Sequence, residues 1–260
     1  MDINPGISSQ VRTDPLNVFI HVPKTAGSTI NRILQEHDPS GIPHCEALID
    51  DPLRFERAIS RAGWVSGHVD LTRMENCLAV TTRRKCRFFT LVRDPLSHVA
   101  SHYNWLIEIA NRGKEFYMGH PEHIRAISRQ IRESDNADPL VIINNLKAHP
   151  GLFLNAQARY VMGAGFDWNS GQVLVRLERY ECSATQNGLP ALAEAMTGKK
   201  PELNWRENES PYHFDREIFQ HPEILKFLAK CNFLDEILYG IVTKTVPARF
   251  VTIWNVPDAD

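Results

Sequence analysis

The sequence predicts an α/β fold with a central, mostly parallel sheet flanked by helices. Two short runs rich in β-branched and aromatic residues, 17–22 and 86–92, are typical of buried strands. Each run is followed by a loop and then by apolar residues at helical spacing. Strands that alternate with helices in this way favour a parallel sheet covered by helices. Because ligands bind at the carboxyl ends of such strands, we expect both loops to lie at that edge.

The first predicted strand leads into a loop over residues 23–29 and then into a helix. Ile30, Ile33 and Leu34 recur at helical spacing, which places them on one buried face. Ser28 or Thr29 is expected to cap the start of this helix, because a hydroxyl can accept an unpaired backbone N–H there. The order is therefore strand, tight loop and helix.

The second predicted strand leads into Arg93-Asp94-Pro95 and a helix that extends to about Glu108. Pro95 suits the first helical turn, where its missing N–H leaves no hydrogen bond unmade. The order of strand, loop and helix is thus repeated, and it gives the chain two candidate binding loops.

The rest of the chain supports the same architecture. It predicts short strands within 63–69, 173–177 and 250–254, and mainly helices over 121–162 and 215–243. No internal repeat or linker is evident. We therefore predict a single domain over residues 1–260, with residues 1–16 as a flexible tail.

Composition excludes several classes of function. The chain has 260 residues, with 29 Lys and Arg against 31 Asp and Glu and a formal net charge of −2, so it lacks the basic field of a general nucleic-acid binder. Its five cysteines form no CxxC pair, which argues against a zinc site or a disulfide framework. The sequence shows no signal peptide or apolar membrane span, so we expect a cytoplasmic protein.

The loop over residues 23–29 has the features of a phosphate-binding loop. It opens a helix, whose backbone N–H groups and positive dipole end attract anions. Gly27 lets the backbone approach a ligand closely, Lys24 adds a positive charge, and Ser28 and Thr29 add hydroxyl donors. It is not a Walker A loop, because Lys24 precedes the glycine. The alternative is an ordinary βα turn with a surface lysine.

The run His-Val-Pro-Lys-Thr-Ala-Gly-Ser-Thr at residues 21–29 resembles the 5′-phosphosulfate loop of sulfotransferases that use 3′-phosphoadenosine 5′-phosphosulfate (PAPS). It is most similar to the family-2 carbohydrate type, which includes heparan sulfate 2-O-sulfotransferases and bacterial relatives. The resemblance implies a P-loop-like domain, PAPS as donor and adenosine 3′,5′-bisphosphate (PAP) as product. It assigns the donor phosphosulfate to Lys24, Thr25, Ala26, Gly27, Ser28 and Thr29.

The second loop resembles the other half of the family signature. Arg93, Ser101 and Tyr103 stand at the family's offsets, and the resemblance implies that Arg93 and Ser101 bind the 3′-phosphate. An arginine can fork onto two phosphate oxygens, which suits this role. One departure is that His98 stands where the family usually has a second arginine. The alternative is a structural ion pair between Arg93 and Asp94 at a helix start.

His68 is the predicted general base. Ser66-Gly67-His68 resembles the Gly-His element in which the family carries its base, and histidine titrates close to the operating pH. Lys24 is expected to stabilise the leaving phosphate. A structural histidine is the alternative for His68. His21, on a strand that alternates into the core, is a weaker candidate base, followed by His98 and His102. No metal is expected.

The resemblance extends to residues 155–160, 208–211 and 232–239, but the acceptor stays open. A saccharide or a small natural product with a hydroxyl group is favoured, without an assignment of oligomeric state. Aromatic and basic side chains are either lining for an acceptor cleft or part of the core: Trp64, Trp105, Phe116, Tyr117 and Arg159. Two other functions remain, a P-loop-type nucleotide kinase and a non-catalytic nucleotide-binding module.

Overall fold

A parallel sheet organises the first part of the protein. In a computed structural model, which describes residues 11–162, 175–180, 188–201 and 211–243, the strands form one sheet in the order β2-β1-β3-β4. β1 pairs in parallel with both β2 and β3, so the predicted α/β class with its parallel sheet is confirmed. The strands are β1 (Leu16–Ile20), β2 (Trp64–Gly67), β3 (Cys86–Arg93) and β4 (Val175–Tyr180).

The helices fill most of the remaining described chain, as the sequence predicts for 121–162 and 215–243. Four of them begin after an aspartate whose carboxylate accepts a backbone N–H from the first turn, at positions 51, 70, 94 and 138. In chain order the helices are α1 (Gly27–His37), α2 (Pro52–Ile59), α3 (Leu71–Thr81), α4 (Pro95–Asn111), α5 (Lys114–Met118), α6 (Glu122–Glu133), α7 (Pro139–Ala148), α8 (Pro150–Phe153), α9 (Ala156–Met162), α10 (Leu189–Thr197), α11 (Pro222–Cys231) and α12 (Phe233–Thr243), with 3-10 turns at Cys45–Ala47 and Arg216–Gln220.

The chain divides into two compact units. The first draws on Met1–Val92, Gln157–Glu207 and Gly240–Asp260, and the second on Arg93–Ala156 and Asn208–Tyr239. The single domain over residues 1–260 stays a prediction. The predicted strand at 250–254 and the start of the one at 173–177 lie outside the described residues.

The register of the first unit decides which chain segments meet. Ile20 is paired with Gly67 and Phe19 with Phe89, so the carboxyl ends of β1 and β2 lie side by side. The N–H of His21 donates to the carbonyl oxygen of Gly67 at 3.1 Å, which extends this ladder one residue past β1. The residues that follow the two strands are therefore neighbours.

Apolar side chains from the sheet and two helices form the core of the first unit. Ile30, Ile33 and Leu34 of α1 pack there as their spacing predicts. Trp64 is also part of this core, where it is 2% exposed and its indole N–H donates to the carbonyl oxygen of Asp38. Of the two predicted roles for Trp64, the lining of an acceptor cleft or a part of the core, the structure supports the core. The other members are Phe19, Phe89, Leu91, Leu189, Leu192, Ala193 and Met196.

The second unit is a helical cluster around a buried tyrosine. Tyr103 of α4 is fully buried, and its hydroxyl donates to Asn136 at 2.7 Å and accepts from the amide of Asn145 at 2.8 Å. Burial raises the pKa of Tyr103 to about 12, so this hydroxyl stays protonated and able to donate. Trp105, Phe116 and Tyr117 pack against the same core, which favours a structural role for them.

We expect Tyr103→Phe to lower the free energy of unfolding by about 1–2 kcal/mol, because it leaves buried polar groups of Asn136 and Asn145 with one partner fewer. Tyr117→Phe is the matched control. Its hydroxyl makes a 3.4 Å contact in a half-buried position, so its loss should change stability much less. Urea denaturation measures both variants, and equal losses in the two would contradict the importance of the Tyr103 network.

Candidate active site

The loop after β1 has a strained backbone. Lys24 has a φ of 66° and Ala26 a φ of 65°, although neither residue is glycine. The left-handed conformation costs such residues on the order of 1–3 kcal/mol each, and it is found most often at ligand clamps and active sites. Backbones that alternate in this way also turn successive N–H groups toward a common point, which suits an anion.

The strain leaves the start of α1 open. The helix begins at Gly27 with Ala26 as its N-cap and has no side-chain cap, so the predicted capping by Ser28 or Thr29 is wrong. The left-handed turn at Ala26 starts the helix earlier, and Thr29 and Ile30 donate their N–H groups to the Ala26 carbonyl oxygen. Within the described residues, the N–H groups of residues 25–28 have no hydrogen-bond acceptor. Unpaired donors at a helix start are suited to bind an anion.

The side chains of the loop divide into two groups. Thr25 is fully buried, and its hydroxyl donates to the carbonyl oxygen of Val22 at 2.9 Å. Thr29 is 5% exposed. These hydroxyls lie in the interior, whereas Lys24 and Ser28 are half-buried. Lys24 and Ser28 are therefore the side chains of the loop that can reach a ligand, while Thr25 braces the turn.

Gly27 is required by close packing. A Cβ atom at this position would lie 1.9 Å from Cδ2 and 2.1 Å from Nε2 of His21. One edge of the His21 imidazole therefore packs closely against the backbone at the start of α1. Close packing is thus a reason for glycine at this position in addition to the predicted close approach of a ligand.

His68 follows β2 directly and is held by its neighbours. Its Nδ1 atom lies 2.8 Å from the carbonyl oxygen of His21. A carbonyl oxygen only accepts, so this contact places the proton of the neutral ring on Nδ1 and leaves the lone pair on Nε2. The backbone N–H of His68 donates to Oε2 of Glu46 at 3.2 Å. The residue as a whole is exposed to solvent, although part of its side chain is buried.

The electrostatics keep His68 neutral at physiological pH. Burial of part of the side chain lowers its pKa below the usual 6.5, although the His21 carbonyl and the Glu46 carboxylate act in the opposite direction. A nearby His44 adds to the lowering. A neutral imidazole with a free Nε2 lone pair can act as a general base.

Sequence reasoning missed Glu46 and His44. They lie in and beside the 3-10 turn at Cys45–Ala47, and His44 Nδ1 is 3.1 Å from Oε1 of Glu46. Gly67 makes room for this turn, since a Cβ there would lie 2.6 Å from both Glu46 Oε2 and Cys45 Sγ. Nothing in the local pattern around residue 46 points to a contact with His68, because the two residues are 22 positions apart in the chain.

The second predicted motif lies in the second unit. Arg93 is the last residue of β3 and is 8% exposed, and Ser101 is half-buried on α4. The Asp94 carboxylate accepts the N–H of Ser97 at 2.8 Å, and Pro95 is in the first turn as predicted. Asp94 therefore acts as a helix cap. The roles of Arg93 and Ser101 in binding phosphate stay predictions.

The other candidate bases are buried. His98 is fully buried and His102 is 6% exposed, with ring centroids 6.0 Å apart. His21 is 4% exposed, as its predicted structural position implies. His68 is thus the most exposed of the four candidates. Within the described part of the chain, no group of three or more His, Cys, Asp or Glu side chains is placed to hold a metal ion.

Two further segments of the resemblance are joined in the second unit. Asn155 has a φ of 52°, and its backbone N–H donates to the side chain of Asn232. The Asn155 side chain donates to the carbonyl oxygen of Cys231 at 3.0 Å and accepts the N–H of Leu234 at 2.9 Å. These bonds give both segments a structural role. In the remaining segment of the resemblance, 208–211, residues 208–210 lie outside the described residues. Arg159, a candidate lining residue of the acceptor cleft, is exposed.

The described residues contain no helix long and apolar enough to cross a bilayer.

Two curated relatives are similar to part of the chain. Heparan-sulfate 6-O-sulfotransferase 1-A of Danio rerio is 29% identical over 122 residues, which cover 39% of this chain and 29% of the relative. Heparan-sulfate 6-O-sulfotransferase 1 of Homo sapiens is 29% identical over 123 residues, which cover 39% of this chain and 30% of the relative. The matched part thus spans less than a third of either relative. No family model and no solved structure matches the chain.

This distant similarity supports the resemblance to sulfotransferases and sulfonate transfer in general. It does not support the 2-O branch specifically, because both relatives are 6-O-sulfotransferases.

Proposed function

We propose that this protein is an O-sulfotransferase that transfers a sulfonate group from PAPS to a hydroxyl of a saccharide or small natural product. The observation that carries the proposal is a pair of neighbours at the ends of two parallel strands. One is an anion-binding loop with unpaired N–H groups, and the other is a neutral histidine with its lone pair on Nε2. An anion site beside a general base is what sulfonate transfer to a hydroxyl requires.

The loop residues fit the phosphosulfate of PAPS. The N–H groups of residues 25–28 would hold its oxygens, and Ser28 would add a hydroxyl donor. Thr25 and Thr29 would contribute through their backbone and by bracing the loop, because their hydroxyls lie in the interior. PAPS supplies the activated sulfonate and a PAP leaving group.

The chain's own residues would perform two tasks in the transfer. His68 would take the proton of the acceptor hydroxyl onto Nε2 as the oxygen bonds to sulfur, and its Nδ1–H bond to the His21 carbonyl would stabilise the imidazolium that forms. Lys24 would stabilise the negative charge that develops on the departing phosphate oxygen. The positive φ of Lys24 fixes where its side chain leaves the loop.

The remaining assignments rest on the resemblance and on the names of the relatives. Arg93 and Ser101 are proposed to bind the 3′-phosphate, with His98 in place of the family's usual second arginine. A saccharide acceptor is favoured because both relatives are named for heparan sulfate. The cytoplasmic location stays a prediction from sequence.

Calorimetric titration with PAP should show tight binding by the wild-type protein and weaker binding by Arg93→Ala, because the variant removes a charged phosphate ligand. Arg129→Ala, an exposed arginine of α6, is the matched control and should bind PAP normally. Preference for ATP with magnesium, or no binding of PAP, would refute the proposed donor and favour the kinase.

His68→Ala should reduce sulfonate transfer by about 10²–10⁴-fold, which is the usual contribution of a general base. PAP affinity should stay nearly unchanged, because His68 is not a ligand of the nucleotide in this proposal. His123→Ala changes an exposed histidine of α6 and serves as the control. A folded His68→Ala variant with full turnover would identify the base as another residue. PAP binding without transfer by the wild type would indicate a non-catalytic module.

Lys24→Ala should lower both turnover and PAP affinity, because the charge acts on the bound phosphate and on the leaving oxygen. Lys226→Ala, an exposed lysine of α11, should leave both quantities unchanged. Steady-state kinetics and calorimetry measure the two effects, and a loss confined to stability would contradict the role of Lys24.

A further inference from the structure

We propose that His21 is a positioning residue, whose imidazole is the spacer that sets the base His68 at a fixed place beside the phosphate loop. The inference rests on the proposed function and deepens it. It gives a task to a residue that the resemblance includes in the loop motif without a role.

His21 contacts the loop through one edge of its ring. The Cδ2–Nε2 edge packs so closely against Gly27 that even a methyl group there would overlap it, at 1.9 and 2.1 Å. Gly27 is the first residue of α1 and belongs to the group of unpaired N–H donors. The position of the His21 ring is therefore coupled to the position of the anion site.

His21 contacts the base in two ways. The rings of His21 and His68 stack at a tilt, with centroids 4.1 Å apart and an interplanar angle of 34°. The backbone carbonyl of His21 accepts the Nδ1–H of His68 at 2.8 Å. One residue thus limits both the plane and the tautomer of the base, and its ring lies between that base and Gly27.

The His21 ring is buried and neutral although, in the described part of the chain, it carries an unpaired polar atom. The residue is 4% exposed, and its Nδ1 atom has no hydrogen-bond partner within the described residues. Buried polar atoms are nearly always paired, so an unpaired one at this place is a cost that an apolar side chain would avoid. Burial, together with His68 and His44, lowers its pKa far below the usual range, so the ring stays neutral.

The groups that face His68 are few within the described residues. His21 lies against it from the end of β1, and Glu46 and His44 approach from the segment around the 3-10 turn. Glu46 raises and His44 lowers the pKa of His68, while burial is the largest influence and lowers it. Removal of the His21 ring would expose a face of His68 to water and so reduce the effect of burial.

The test uses nitrogen-15 NMR across pH to measure the ionisation and the tautomer of the His68 imidazole in the wild type and in His21→Ala. In the wild type we expect the Nδ1–H tautomer and a pKa below 6.5. In His21→Ala the pKa should rise toward that value, because His68 loses a buried face, whereas the Nδ1–H tautomer should persist because the variant keeps the backbone carbonyl. These NMR measurements require neither PAPS nor an acceptor substrate, so their outcome does not depend on the proposed activity.

Kinetics supply the second readout. In His21→Ala, kcat should fall about 10–100-fold, since small displacements of a reacting group have effects of this size, while the KM for PAPS changes little. The acidic limb of the kcat/KM profile should move to higher pH, in parallel with the pKa of His68. Failure of sulfonate transfer in the wild type would refute the proposed function and leave the NMR test of His21 intact.

A second variant, Gly27→Ala, perturbs the His21 ring at its contact with α1 instead of removing the ring. Its added methyl group should displace the His21 ring and change the His68 resonances, although residue 27 is not a neighbour of His68 in the sequence. Gly151→Ala, where a Cβ meets nothing within 4 Å, is the matched control and should leave His68 unchanged. If His21→Ala does not fold, His21→Leu, which fills the space without a flat face, replaces it.

Two outcomes would overturn the spacer role. One is a wild-type His68 that carries its proton on Nε2, because the bond to the His21 carbonyl would then be absent. The other is a folded His21→Ala or His21→Leu variant in which the pKa of His68, the pH profile and kcat all match the wild type.

Discussion

The hydrogen bond from Nδ1 of His68 to the carbonyl oxygen of His21 is the interaction on which the candidate site depends. It exists because β1 and β2 are adjacent and parallel, in a register that pairs Ile20 with Gly67. The next residue of each strand is a histidine, and the two meet at the carboxyl edge of the sheet. A single backbone acceptor then fixes which nitrogen of His68 carries the proton and which one can accept a proton.

The loop beside this pair stores strain, which the surrounding packing maintains. The left-handed residues Lys24 and Ala26 hold the start of α1 open to an anion, while the buried hydroxyl of Thr25 closes the turn on Val22. Gly27 lets the His21 ring lie against the helix start. Because the interior is close-packed, the loop, the His21 ring and His68 cannot shift independently.

The second unit uses polar side chains to fix its segments. The Tyr103 hydroxyl joins two asparagines in a buried network, and Asn155 ties its own turn to Asn232 and Leu234. The distant similarity to heparan-sulfate 6-O-sulfotransferases covers 39% of the chain, which agrees with sulfonate transfer as a class. The tight polar networks identify Asn155 and Asn232 as structural, although their motifs resemble functional segments of the family.

The sequence by itself determined the α/β class, the two strand–loop–helix units and the helical stretches, because periodicity and proline placement are local signals. It also pointed to Lys24, Gly27 and His68, since these residue types occur in recognisable short motifs. Only the tertiary structure decided that Ala26 is the N-cap, that Trp64 belongs to the core, and that Glu46 and His21 hold His68. Strand register and backbone strain create these contacts between residues far apart in the chain, and no local pattern encodes them.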